Sequence, residues 1–134
     1  MKLIPEFLAG IDYMVRRAEE LGIREKLVIV IQSEMGRRPL YNKGNGKDHW
    51  SIGSIMFLGQ GITGNRVIGE TDGEQFLVPI DRKTHQSDSE NGVRVRPEHV
   101  HEMLRQHAGI EQHSFAKKFD LKIKADEEIA SWWS

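Results

Sequence analysis

The chain has 134 residues, of which 38% are hydrophobic and 29% charged, proportions that suit one soluble globular domain and exclude a disordered or fibrous class. A formal net charge of −1 creates no overall field for nucleic acid or an anionic membrane, so neither is expected as a partner. The absence of cysteine excludes disulfides and thiolate metal sites, and no apolar run approaches the roughly 20 residues that span a bilayer.

Pro5 and Glu6 interrupt the apolar start of the chain, so no secretory signal is read there; a cytoplasmic location is the default expectation, and export is expected if the chain is part of a longer protein. Residues 3–22 are predicted to form an amphipathic helix. Leu3, Phe7, Leu8, Ile11, Met14, Val15 and Ala18 recur at spacings of three and four. Pro5 is tolerated in the first turn, and Gly22 ends the helix. Residues 26–32, Lys-Leu-Val-Ile-Val-Ile-Gln, read as a strand buried on both faces. Helix, short link and buried strand together predict an α/β domain with a small mixed or parallel sheet and flanking helices.

Residues 33–50 read as a long polar loop and 51–58 as a second apolar strand. Arg66–Glu70 and Phe76–Ile80 are predicted as short strands joined at Asp72-Gly73 into a β-hairpin. The polar run 84–92 is expected to be mobile. Residues 97–108 predict a second helix, opened by Pro97, with Val100, Met103, Leu104, His107 and Ala108 on its apolar side and Gly109 after it. Trp132-Trp133 is expected to pack back onto the domain or to meet another chain. The whole, 1–134, reads as a single domain.

Two motif matches lead elsewhere and are set aside. Gly59-x-Gly61-x-x-Gly64 follows a strand, but the next residues alternate and turn instead of opening the helix a dinucleotide site requires. His101-Glu102 opens a zincin-like pattern in which Arg105 stands where the second His is needed. The His-rich stretch 99–113 is expected to be surface, with at most one ring packed against the core.

The chemistry concentrates between Gln32 and Trp50. Ser33-Glu34 follows the carboxyl end of the buried strand, where open α/β sheets place ligands. Arg37 and Arg38 offer planar forks matched to phosphate or sulfate oxygens. A flexible run, Asn42 to Gly46, delivers Lys47, Asp48, His49 and Trp50. Glu34, Asp48 and His49 are ligand types for Zn or Mn, and each is also an ordinary loop residue when taken alone.

The run Leu27-Val-Ile-Val-Ile-Gln-Ser-Glu-Met-Gly-Arg-Arg-Pro, with Asn42 and Gly46-Lys-Asp-His-Trp50, resembles an uncharacterised bacterial sulfatase-like family of the alkaline phosphatase superfamily. That family's hallmark is Glu-Phe-Gly-Arg-Thr-Pro followed by Gly-Arg-Asp-His-Trp. Met35, Arg38 and Lys47 depart from it, and Ser33-Glu34 stands where the superfamily usually has Asp-His. Gly59 to Asp72, Val95 to His99 and Leu3 to Phe7 extend the resemblance over nearly the whole chain. It implies the C-terminal subdomain of an alkaline-phosphatase-like fold. It further implies a divalent metal, Zn or Mn, held by Glu34 and His49, with Asp48 as ligand or orienting partner, and substrate contacts from Arg37 and Lys47.

The resulting expectation is a part of a metal-dependent phosphate or sulfate ester hydrolase that lacks its nucleophile and is inactive as an isolated chain. The alternative is a non-catalytic, oligomerising interaction domain. A homo-oligomer, or a complementary N-terminal segment, is the expected partner, because the edge of the strand at 26–32 lacks neighbours.

Overall fold

A computed structural model describes residues 3–133. In chain order it holds α1 (Leu3–Glu20), a 3-10 turn (Arg24–Lys26), β1 (Val28–Gln32), β2 (Gly36–Arg37), β3 (His49–Trp50), β4 (Ile55–Gly59), α2 (Pro97–His107) and α3 (Ser114–Lys118). It is a mixed α and β structure with two small antiparallel sheets. None of the described helices is long and apolar enough to cross a membrane.

Helix α1 stops as its sequence requires. Gly22 takes a φ of +67°, the Ile23 N–H donates to the Ala18 carbonyl at 2.8 Å, and the Gly22 N–H donates to Glu19 at 3.0 Å. That pairing satisfies two orphan carbonyls of the last turn, and a glycine carries the left-handed residue without a Cβ penalty. Ile11 and Ala18 are buried along α1 and Val15 is half-buried. A cavity of about 380 Å³ between Val15 and Leu27, Ile29 and Leu58 shows which side of the sheet this stripe addresses.

The sheets correct the expected parallel or mixed arrangement. β1 pairs with β4, and β2 with β3, both antiparallel. β1 therefore meets its own continuation returning through a hairpin, not a strand reached by a helical crossover. β1 is also not buried on both faces. Val30 and Gln32 are exposed while Val28, Ile29 and Ile31 are half-buried, because α1 covers only part of one face. On the other face Phe57 of β4 meets the edge of the Trp133 ring at 5.8 Å and lies 6.3 Å from Trp132.

The C-terminal tail does pack back. Trp133 stacks on His107 at 4.2 Å, donates from Nε1 to the Met103 carbonyl at 2.8 Å, and bridges to Ile62. Arg96 at the start of α2 pairs with Glu127 at 2.8 Å. The buried side of α2 is His99, Val100 and Met103; Val100 and Met103 belong to the expected stripe, Leu104 and His107 are half-buried beside them, and His99 joins them. His99 is the histidine that packs inside, at 2% exposure. Its Nδ1 accepts the Arg96 N–H at 3.0 Å, which fixes the proton on Nε2. Burial holds its pKa below the ordinary imidazole value; Arg96 adds to this, and Glu127 and Glu98 oppose it.

The predicted hairpin at 66–80 is reduced to a single bridge, Thr71↔Leu77, around a tight turn. The Asp72 Oδ1 accepts the N–H groups of Glu74 and Phe76, both at 2.9 Å, and Gln75 adopts a φ of +64°. Segment 84–92 wraps Ile80, which is fully buried. Ile80 bridges both Ser87 and Val93, and the Asp81 and Asp88 carboxylates accept main-chain N–H groups of the turns that follow them. Those contacts at Thr84 and Lys83 hold the Asp81 pKa below its ordinary value.

The two sheets are the inner and outer halves of one long hairpin, broken in the middle. Gln32 pairs with Ile55 and Gly36 with Trp50. The intervening arms are 33–35 on one side and 51–54 on the other, so one side carries an extra residue, as in a β-bulge. At that break the backbones nearly touch. A Cβ on Gly36 would lie 1.8 Å from the Ile52 carbonyl oxygen. Gly36 is thus needed for this close approach. Gly36→Ala is expected to destabilise the fold by about 3 kcal/mol in urea denaturation, the upper part of the overpacking range. A loss below about 0.5 kcal/mol, typical of an uncrowded surface change, would show that the arms do not approach so closely here.

Candidate functional site: the hairpin at 36–50

The segment read as an unstructured loop is built by a two-residue ladder and an Asn-centred tip. Arg37 pairs with His49, and the Arg38 N–H donates to the Asp48 carbonyl at 3.0 Å. Pairs 36–50 and 38–48 are therefore the hydrogen-bonded ones. Arg37 and His49 form the non-hydrogen-bonded pair, in which the Cα atoms come within about 4.5 Å and the side chains are closest.

Alternation along a strand then sorts the side chains. Arg37 and His49 share one face. Arg38, Asp48 and Trp50 share the other. The Arg38 guanidinium carbon lies 5.4 Å above the Trp50 ring, as this sorting requires. Trp50 anchors the second face to the body of the protein: its Nε1 donates to the Gln75 carbonyl at 2.8 Å, and its ring meets Phe76 at 5.3 Å. The first face stays open to solvent, with both Arg37 and His49 exposed.

Asn42 sets the tip, and its role went unread from the sequence. The Asn42 Oδ1 accepts the N–H groups of Gly44 at 2.9 Å and Gly46 at 3.0 Å. Its Nδ2 donates to the Asp48 Oδ1 at 2.7 Å, and its main chain closes the loop with Gly46 and Asn45. The signal was present, since an Asn followed by glycines at the second and fourth positions is the pattern of an Asx-type turn. Lys47 folds over Tyr41, with Nζ 5.2 Å from the ring centroid. The Lys47 carbonyl accepts from Arg37 Nη1 at 3.1 Å, which draws the guanidinium along the loop.

The candidate residues thus separate into two groups. Arg37 and His49 are brought together, with Lys47 beside them in the chain. Glu34, Asp48 and His49 are not. Asp48 and His49 project to opposite faces although adjacent in sequence, and the Asp48 carboxylate is engaged by Asn42. Among the described residues no group of three or more His, Asp or Glu side chains could hold a metal ion. The donor set of the described residues does not fit a divalent metal by itself, because a Zn site needs three or four converging ligands.

Over residues 2–128 the sequence matches the family described as Protein of unknown function (DUF1501). The chain belongs to that family. The match corrects the sulfatase-like resemblance: no sulfatase or alkaline phosphatase family is detected, and the shared Glu-x-Gly-Arg and Asp-His-Trp segments carry no such assignment. No curated protein and no solved structure matches the chain.

Calorimetric titration of this DUF1501 chain with Zn²⁺ is expected to show no nanomolar site, and Glu34→Ala and Asp48→Ala are expected to leave the isotherm unchanged. Tight binding lost in both variants would contradict the separation of these side chains.

Proposed function

We propose that the hairpin is an oxyanion-binding element for phosphate or sulfate esters, and that the chain is a part of a hydrolase acting on them. The observation that carries this reading is the Arg37–His49 pair. A planar guanidinium and an imidazole stand side by side on an open face, both able to donate to one tetrahedral anion. The Lys47 carbonyl orients the guanidinium, and Trp50 and Asn42 hold the two ends of the element, so the main chain that carries the pair is held in place. Hydrolysis needs a nucleophile, and metal-assisted hydrolysis needs converging ligands. Both come from outside the described residues in this reading, so the isolated chain binds and does not turn over.

A second reading, an oligomerising interaction domain without chemistry, is favoured by a different observation. The chain exposes 10438 Å², whereas a folded monomer of this length exposes about 7,200 Å². Both readings hold together if association completes the site.

The test is an NMR titration of the chain with inorganic phosphate and sulfate, followed at the His49 ring. Saturable shifts are expected, and Arg37→Ala should weaken binding at least tenfold, since a hydrogen bond to a charged group contributes about 1.5–3 kcal/mol. Binding indifferent to Arg37→Ala would remove the anion-binding reading. Turnover of an aryl phosphate or sulfate by the chain alone would contradict the external nucleophile.

A further inference from the structure

The tip of the 36–50 hairpin and the wrap around Ile80 share a dipeptide. The chain holds two Asn-Gly pairs, Asn45-Gly46 and Asn91-Gly92. In such a pair the chain can attack itself, because a glycine has no Cβ to keep its nitrogen from the preceding side-chain amide. The glycine nitrogen adds to the asparagine Cγ. The amide nitrogen leaves as ammonia, taking up the glycine proton, and a cyclic imide remains. Water then opens the imide at either carbonyl. The product is aspartate, or isoaspartate with the main chain rerouted through Cγ. Water is consumed and ammonia released, with no change of oxidation state.

In an unfolded chain the two pairs are chemically alike, and the fold separates them. The Gly92 N–H donates to the Asp88 carbonyl at 3.1 Å, and the neighbouring Val93 exchanges hydrogen bonds with Ile80 in both directions, at 2.8 and 3.0 Å. A Cβ on Gly92 would lie 2.3 Å from the Asp88 carbonyl oxygen and 2.9 Å from main-chain atoms of Ile80. Ile80 is fully buried. The Gly92 nitrogen is therefore released only when the wrap opens and a core residue meets water.

The tip is held more lightly. One side-chain atom, the Asn42 Oδ1, accepts the Gly46 N–H at 3.0 Å and is shared with Gly44. Residues 41–49 are all exposed, and a Cβ on Gly46 would meet only the Asn42 side chain, no nearer than 3.8 Å. Opening the tip uncovers no core residue. Local opening costs least where few buried contacts are lost, so the Gly46 nitrogen is freed far more often than that of Gly92.

We infer that Asn45 is a site of spontaneous deamidation in the folded protein, that the wrap around Ile80 protects Asn91, and that Asn42 sets the rate by latching the Gly46 nitrogen. The product carries a new carboxylate two residues from Lys47. Isoaspartate also lengthens the main chain inside the turn that Asn42 spans. A charge-changing modification thus falls on the element that carries Arg37 and His49. The modification stands by itself; a fall in phosphate affinity with age rests on the anion-binding reading.

The test is peptide mapping by mass spectrometry on the full chain, incubated in mildly alkaline buffer with and without urea. In the folded protein the Asn45 peptide is expected to convert from amide to acid at least about tenfold faster than the Asn91 peptide. In urea the two should convert at similar rates. Asn42→Ala should speed conversion at Asn45 about threefold or more in the folded protein, by removing the hydrogen bond that holds the Gly46 nitrogen, and should change nothing in urea. Conversion at Asn91 as fast as at Asn45 in the folded protein overturns the inference, and a folded-state rate indifferent to Asn42→Ala overturns the latch. Phosphate titration of fresh and aged chain separates the two readings. A fresh chain that binds no phosphate removes the anion-binding reading and leaves the modification intact. An aged chain that has lost the Asn45 amide yet binds phosphate as tightly as the fresh one overturns the effect on the site.

Discussion

The rest of the structure hangs on the close approach of two backbone arms at Gly36. Between β1–β4 and β2–β3 one arm has a residue more than the other, and the chain absorbs it by passing Gly36 under the Ile52 carbonyl. A side chain cannot fit there. Without the offset the inner and outer ladders would run as one continuous hairpin, and Arg37 would pair with Trp50 while His49 turned to the other face. The one-residue offset therefore decides that Arg37 and His49 share the open face while Asp48 turns towards Asn42 and Trp50 towards the body of the protein.

That sorting governs the chemistry. Adjacent Asp and His residues invite a metal reading when seen in a sequence, since both are ligand types. Held in a strand, they point apart. The same alternation brings together residues twelve positions apart, an arginine and a histidine, into a pair suited to an oxyanion. Membership of the DUF1501 family, over nearly the full chain, is consistent with either a binding or a catalytic part, and a fold alone does not certify an activity. Exposed large apolar side chains are the second organising fact, and Leu3, Ile4, Phe7, Leu8, Tyr13 and Met14 lie on α1. The described core is small: Ile11, Ala18, Ile80, Val100 and Met103. A surface so rich in unburied leucine and phenylalanine is stabilised by being covered.

Much of the local structure was legible. Helix α1 and its stop at Gly22 follow from period and glycine placement, as does α2 with Pro97 at its start. The return of Trp132 and Trp133 onto the domain was one of two outcomes read from their apolarity. Sheet direction was not legible, because a β-branched run such as Leu27 to Ile31 looks the same whether its neighbour arrives by a crossover or by a hairpin. The ladder within 33–50 was not legible, because it is only two residues long and includes Gly36, a poor strand former. Asn42 was passed over as part of a flexible run, although its spacing to Gly44 and Gly46 encodes the turn. His99 could not be singled out among the histidines of 99–113, because it stands one position before Val100, outside the apolar stripe of α2.

The measurement that bears most directly on this account is a two-dimensional NOE spectrum of the hairpin. A non-hydrogen-bonded antiparallel pair brings its two Hα protons into close contact. The account predicts a strong Hα–Hα cross-peak between Arg37 and His49, together with slow exchange of the Arg38 amide proton. A cross-peak from Arg37 to Asp48 or to Trp50 instead would mean a register shifted by one residue, and would contradict the placement of Arg37 and His49 on a common face.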